Sequence, residues 1–125
     1  MFGTCLGFQA LCVLAADPRD DEGNKKHIRY FVDNKKKMMA VTFTEKALKS
    51  KLLKKASWNL IQAMSNQNVS IHNHNLGIVP QQFEKYKGLR DMFDMVATGF
   101  GKNGVQFVSI VEGLWSYVLK SLIMY

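Results

Sequence analysis

The chain has 125 residues, enough for one domain that buries roughly two-thirds of the surface its unfolded form exposes. A hydrophobic content of 47% and a charged content of 22% exclude a disordered or fibrous chain, and two cysteines exclude a disulfide framework. The net charge of +7 is local: 11 of the 17 Lys and Arg fall between Lys25 and Lys55, where the only acids are Asp33 and Glu45.

The first stretch, Gly3-Thr4-Cys5-Leu6-Gly7-Phe8-Gln9, reads as a strand, a sharp turn and a helix, the layout of a nucleophile elbow. Its glycines are expected to let the backbone turn where a Cβ would clash. The Cys5 thiol then sits at a helix N-terminus, where the dipole favours a thiolate. The backbone N–H of Leu6 can face an oxyanion formed on an attacked carbonyl. The plain alternative is a small buried cysteine in a glycine-punctuated turn. The helix is expected over Leu6 to Ala15, ended by Asp17-Pro18, because Pro18 disfavours helical geometry at the residue before it. Cys12 should lie buried on it, too far along the helix from Cys5 for a disulfide. The apolar run to Ala16, followed by Asp17, also has the outline of a secretory signal, although no Lys or Arg precedes it. No segment approaches the ~20 apolar residues that cross a membrane.

Asp17 to Asn24 reads as a polar loop, His27 to Val32 as a strand, Asp33 to Lys37 as a basic turn and Met38 to Phe43 as a strand. Thr44 is expected to cap a helix from Glu45 to about Lys55, with Ala47, Leu48 and Leu52 inward and Glu45 facing Lys49. Five lysines cover the rest of that helix. They read as a solvated face or as a surface for nucleic acid or acidic lipid, and the absence of interleaved aromatics favours the former. Ser57 caps a helix over Trp58 to Ser65 with Trp58, Ile61 and Met64 inward. Val69 to Asn73 is a strand. Pro80 opens a helix running to Lys87 that Gly88 ends. Met92 to Thr98 and Val105 to Val111 form a hairpin about Asn103-Gly104. His72 and His74 share a strand face, but no third metal ligand stands near them in sequence, so no metal is expected. His27 receives no role.

Four of these stretches carry a resemblance. Gly3-Thr4-Cys5-Leu6-Gly7-Phe8-Gln9 resembles the nucleophile motif of the gamma-glutamyl hydrolase family, cysteine peptidases related to the class I glutamine amidotransferases. Phe8 fits the hydrolase branch and Gln9 is more amidotransferase-like. Val41-Thr42-Phe43-Thr44 resembles the family's L-N-F-T, Val69 to Leu76 its strand with a substrate-side histidine, and Phe107 to Gly113 its F-I-S-T-x-E-G. The resemblance covers residues 3–113 of a single partial domain, 1–125, with 114–125 divergent. It implies an α/β fold, a partial class I glutamine-amidotransferase-like three-layer sandwich incomplete at both edges.

The resemblance also implies a reaction: hydrolysis of gamma-glutamyl bonds in folate polyglutamates, without cofactor. Cys5 would be the nucleophile, the Leu6 N–H an oxyanion donor and His72 a substrate-binding residue. It further implies a gamma-glutamyl peptide or small molecule as partner, a homodimer, and a lysosomal, vacuolar or secreted setting; nucleic acid and membrane are not expected as partners. In the family a strand after the E-G ends in Q-x-H-P-E, whose histidine is the general base. Residues 114–125 hold no His, Pro or Glu. The expectation is therefore a truncated chain, whether gene fragment, splice variant or decayed copy, with impaired or no activity. The alternative is a non-catalytic α/β protein that binds acidic partners through its basic 25–55 segment.

Overall fold

The structure, a computed structural model, describes residues 5–19, 22–24, 26–114 and the backbone of 122–124. The strand expected before Cys5 lies outside the described residues. Helix α1 runs Leu6–Ala16 and ends at Asp17 in the left-handed region, φ 38° and ψ 56°, a common way for a helix to end, with Pro18 barring its continuation. Strand β1 is Arg29–Phe31, β2 Lys37–Met39 and β3 Thr42–Phe43. The single strand expected over Met38 to Phe43 is thus two. Ala40 N–H donates to Asn68 Oδ1 and Val41 N–H to the Met64 carbonyl, so the chain leaves one sheet and crosses to another between them.

The helix expected from Glu45 is replaced by two 3-10 turns, Glu45–Lys49 and Leu53–Lys55. Thr44 does not cap the first; its hydroxyl donates to the Met95 carbonyl at 2.5 Å. Ser50 adopts extended geometry between the turns and its Oγ accepts from Leu53 N–H. The Glu112 carboxylate accepts Lys51 N–H at 3.1 Å, so tertiary bonds hold the break open against local helix propensity. Leu48, expected inward, is 83% exposed, and Lys46 pairs with Asp94. Lys49, Lys51, Lys54 and Lys55 are exposed and do not line one helix face.

Helix α2, Trp58–Asn66, is capped by Ser57, whose hydroxyl accepts from Leu60 N–H. Ile61 and Met64 turn inward, whereas Trp58, at the first helical position, is exposed. Strand β4, Ser70–His72, is followed by β5, Leu76–Ile78, an element not anticipated from sequence. Helix α3, Pro80–Lys85, gives way directly to α4, Lys87–Met92. Gly88 sits inside α4 instead of ending α3, because α1 passes close by. A Cβ on Gly88 would lie 1.9 Å from the Ala15 carbonyl oxygen, so only glycine permits the contact. Strands β6, Phe93–Phe100, and β7, Gln106–Gly113, form the expected hairpin, with Gly104 at φ 76°. Strand β8 is Leu122–Met124.

The architecture is mixed helix and sheet. Every described pairing is antiparallel: a four-stranded sheet in the order β3-β6-β7-β8 and the two-stranded pairs β1-β5 and β2-β4. Strand β7 is central, and its run from Phe107 to Val111 is buried throughout. Val108 and Val111 join Phe8, Cys12, Ile78, Phe83 and Leu89 in one core cluster. Ile110 packs with Val41 and Val96 in a second, and Phe107 with Val32 and Met39 in a third. A strand covered on both faces reads as a continuous apolar run and not as an alternation. Among the described residues, no helix is long and apolar enough to cross a membrane.

Candidate active site

The first residue of the elbow motif that the structure describes is Cys5. It is exposed and precedes α1 with φ 50° and ψ −114°. Among the described residues three other non-glycine residues have positive φ, and Asp17 among them lies in the ordinary left-handed well. The ψ of Cys5 lies far from that well, in a region that L-residues occupy at a cost on the order of 1–3 kcal/mol. Among the described residues no side chain caps the helix here. The first intrahelical bond is Gln9 N–H to the Cys5 carbonyl at 3.2 Å. The N–H groups of Leu6 and Gly7 precede it and have no intrahelical acceptor. The thiol thus stands at an exposed helix start beside backbone N–H groups that lack an intrahelical acceptor, the kind of donors that an oxyanion on an attacked carbonyl requires. One detail departs from expectation: a Cβ on Gly7 would meet nothing within 4 Å, so neither sterics nor φ demands glycine there.

The next turn of α1 points inward. Phe8 and Cys12 are fully buried and Gln9 is 5% exposed. Burial pushes the Cys12 thiol up to about 12, since a thiolate there would lose its hydration. Both cysteines are free thiols. The Gln9 carboxamide bridges two elements. Its Nε2 donates to the Leu76 carbonyl on β5 at 3.0 Å and its Oε1 accepts from Arg29 Nη1 on β1 at 3.1 Å.

That carbonyl leads to the histidines. His74 Nδ1 lies 3.0 Å from the Leu76 oxygen. His74 Nε2 lies 3.4 Å from His72 Nδ1 and 3.5 Å from Asn34 Nδ2. Both rings meet the edge or face of Phe107, at centroid distances of 5.3 and 5.2 Å. His72, at the end of β4 opposite Lys37, is 2% exposed. Burial, then the nearby charges of His74 and Lys37, push it down from 6.5 to about 4. His74 is lowered by burial, opposed by its bond to the Leu76 carbonyl. His72 Nε2 and Asn34 Oδ1 are buried with no hydrogen-bond partner among the described residues. Among those residues no group of three or more His, Cys, Asp or Glu is arranged to hold a metal.

The structure therefore brings the two histidines together and couples them to α1 through one carbonyl. It gives the Cys5 thiol no imidazole partner among the described residues. Sequence reasoning singled out Cys5, Leu6 and His72 by motif. It missed Gln9 as a bridge, and with it Arg29, Leu76 and Asn34, because the bonds span 20, 67 and 40 residues and leave no local pattern. A cavity of about 340 Å³ lies elsewhere, between the 3-10 turn at Glu45, α3 and β6, and includes none of the residues above.

Comparison with known proteins gives consistent neighbours. The chain is similar to gamma-glutamyl hydrolase B of Dictyostelium discoideum, 30% identical over 112 residues, which make up 90% of this chain and 30% of that protein. It is 28% identical over 114 residues to gamma-glutamyl hydrolase of Mus musculus, covering 90% of this chain and 33% of that one. To gamma-glutamyl hydrolase 2 of Arabidopsis thaliana it is 26% identical over 113 residues, 90% and 30% respectively. The chain spans about a third of the length of these curated relatives. No family model matches it.

Proposed function

Since the chain belongs to the gamma-glutamyl hydrolase family, we propose that it presents the nucleophile of a gamma-glutamyl hydrolase, with folate polyglutamates as the substrate class. In this reading the Cys5 sulfur attacks the gamma-glutamyl carbonyl and the Leu6 N–H faces the developing oxyanion. The C–N bond then breaks with a proton delivered to the departing amine, and water releases the acyl group from sulfur. His72 belongs to the substrate side. The fold is a part of the class I glutamine-amidotransferase-like sandwich. A lysosomal, vacuolar or secreted setting and a homodimer follow from the same reading.

The observation that carries the proposal is the strained backbone of Cys5 at an exposed helix start. Strain of this kind persists only where the surroundings over-determine it, and it collects at reactive positions. The reading also sets a limit. Attack and expulsion of an amine need a proton carrier at the sulfur, and among the described residues no imidazole bonds to it. A polypeptide of these 125 residues is expected to hydrolyse a gamma-glutamyl peptide on the order of 10⁴-fold more slowly than an enzyme with its base in place.

The test is glutamate release from a gamma-glutamyl peptide by the purified chain and by Cys5→Ala. Slow release that disappears in Cys5→Ala supports the proposal. Release unaffected by the substitution ends the nucleophile reading, and turnover of an ordinary enzyme ends the claim of impairment.

A further inference from the structure

We propose that Gln9 is a positioning residue: through the Leu76 carbonyl it ties the protonation pattern of His74 and His72 to the first turn of the helix that carries Cys5. The inference rests on the reading of Cys5 as the nucleophile, and it begins with what each atom can do. The Leu76 oxygen can only accept, so His74 must carry its proton on Nδ1 to bond it at 3.0 Å. A neutral His74 then has a lone pair on Nε2. That lone pair faces His72 Nδ1 at 3.4 Å and the Asn34 amide nitrogen at 3.5 Å. His72 therefore donates from Nδ1, and its Nε2 is left as a bare acceptor, buried and without a partner among the described residues. One carbonyl thus decides the tautomer of two rings.

The carbonyl itself is held by Gln9. The Gln9 amide donates to it at 3.0 Å, and Arg29 fixes the other end of the same carboxamide at 3.1 Å. Arg29 and Leu76 lie on the paired strands β1 and β5, at opposite ends of their ladder, Arg29 facing Ile78 and Leu76 facing Phe31, so the carboxamide ties both strands to α1. Gln9 N–H in turn closes the first bond of α1 on the Cys5 carbonyl. A side chain that is 5% exposed and bonded at both ends has one orientation, and a carbonyl held by it has one direction. Second contacts of this type set which imidazole nitrogen carries the proton.

Nitrogen-15 NMR of the imidazoles in the full chain at neutral pH tests this without substrate. The expected pattern has protons on Nδ1 of both His72 and His74 and a bare Nε2 on His72. Gln9→Met keeps the length and loses both bonds; Gln9→Glu keeps the acceptor for Arg29 and loses the donor to Leu76. Each is expected to replace the single tautomers by mixtures while the Phe8 and Cys12 core stays folded. A proton on Nε2 of His74 in the unaltered chain overturns the proposal, even if a variant fails to fold. So do unchanged single tautomers in either folded variant. If the tautomers shift as expected while Cys5→Ala leaves hydrolysis unchanged, the nucleophile reading fails and the positioning role stands.

Discussion

The start of α1 and the turns that follow it are built on opposite terms. At its start Cys5 is an exposed free thiol, held at positive φ, whose side chain makes no capping hydrogen bond among the described residues. One to two turns later Phe8, Gln9 and Cys12 are buried, two of them in the main core cluster and the third bonded to two strands. The same residue type thus has two chemistries on one helix. Cys12 is a small core hydrophobe, and Cys5 is an exposed thiol. The difference teaches that the buried turn helps hold the exposed one in its strained conformation, since among the described residues no side-chain cap compensates the strain at Cys5.

The sharpest way to break that contrast is chemical. Alkylation of Cys12 requires α1 to come off the core, an opening that costs most of the folding free energy. Cys5 should react with iodoacetamide about 10⁴-fold faster than Cys12 at neutral pH in the folded protein. Peptide mass spectrometry across a time course measures it, and comparable rates would mean that the helix is not docked.

A smaller effect probes the polar ties of the buried turn. Between pH 6.5 and about pH 4 an unfolded His72 binds a proton that the folded one refuses. Stability should therefore be full above pH 6.5 and fall as the pH drops, by on the order of 2 kcal/mol on reaching pH 4. His74, lowered in the same direction, adds to the slope. Urea midpoints taken from pH 7.5 to 4.5 read the loss, and His72→Gln should flatten it. A midpoint that rises on acidification would contradict the burial of the pair.

The smallest effect is a gain. Cys5→Gly removes the Cβ at φ 50° and ψ −114°, and glycine's greater freedom when unfolded offsets part of the relief. A net stabilisation of about 1 kcal/mol is expected in denaturant titration. Destabilisation by Cys5→Gly would show that the turn is not strained.

What the sequence made legible was local. The helix after Cys5, the Ser57 cap and the Asn103-Gly104 hairpin are each written in neighbouring residues, and each formed. The Glu45 to Lys55 segment misled because Ala47, Leu48 and Leu52 have helical spacing. The decisive contact is the Glu112 carboxylate on Lys51 N–H, 61 residues away. Trp58 misled because an apolar residue at a helix start need not face the core. At the site, Cys5, Leu6 and His72 stand in recognisable motifs. Gln9 was legible as a residue of the elbow motif but not as a bridge, since its partners are a backbone oxygen and an arginine on remote strands.

The Gln9–Leu76 bond joins positions 67 apart in the chain, and that separation has a consequence for the order of assembly. Helix α1 can wind within itself in about a microsecond or less, whereas the strand it must meet arrives only after a long loop has closed. Contacts of such range are formed late and make folding slow. Until they form, nothing compels Cys5 out of an ordinary helical or extended conformation. A nascent chain therefore carries a relaxed cysteine, and the strained geometry at Cys5 comes into being as one of the last acts of folding.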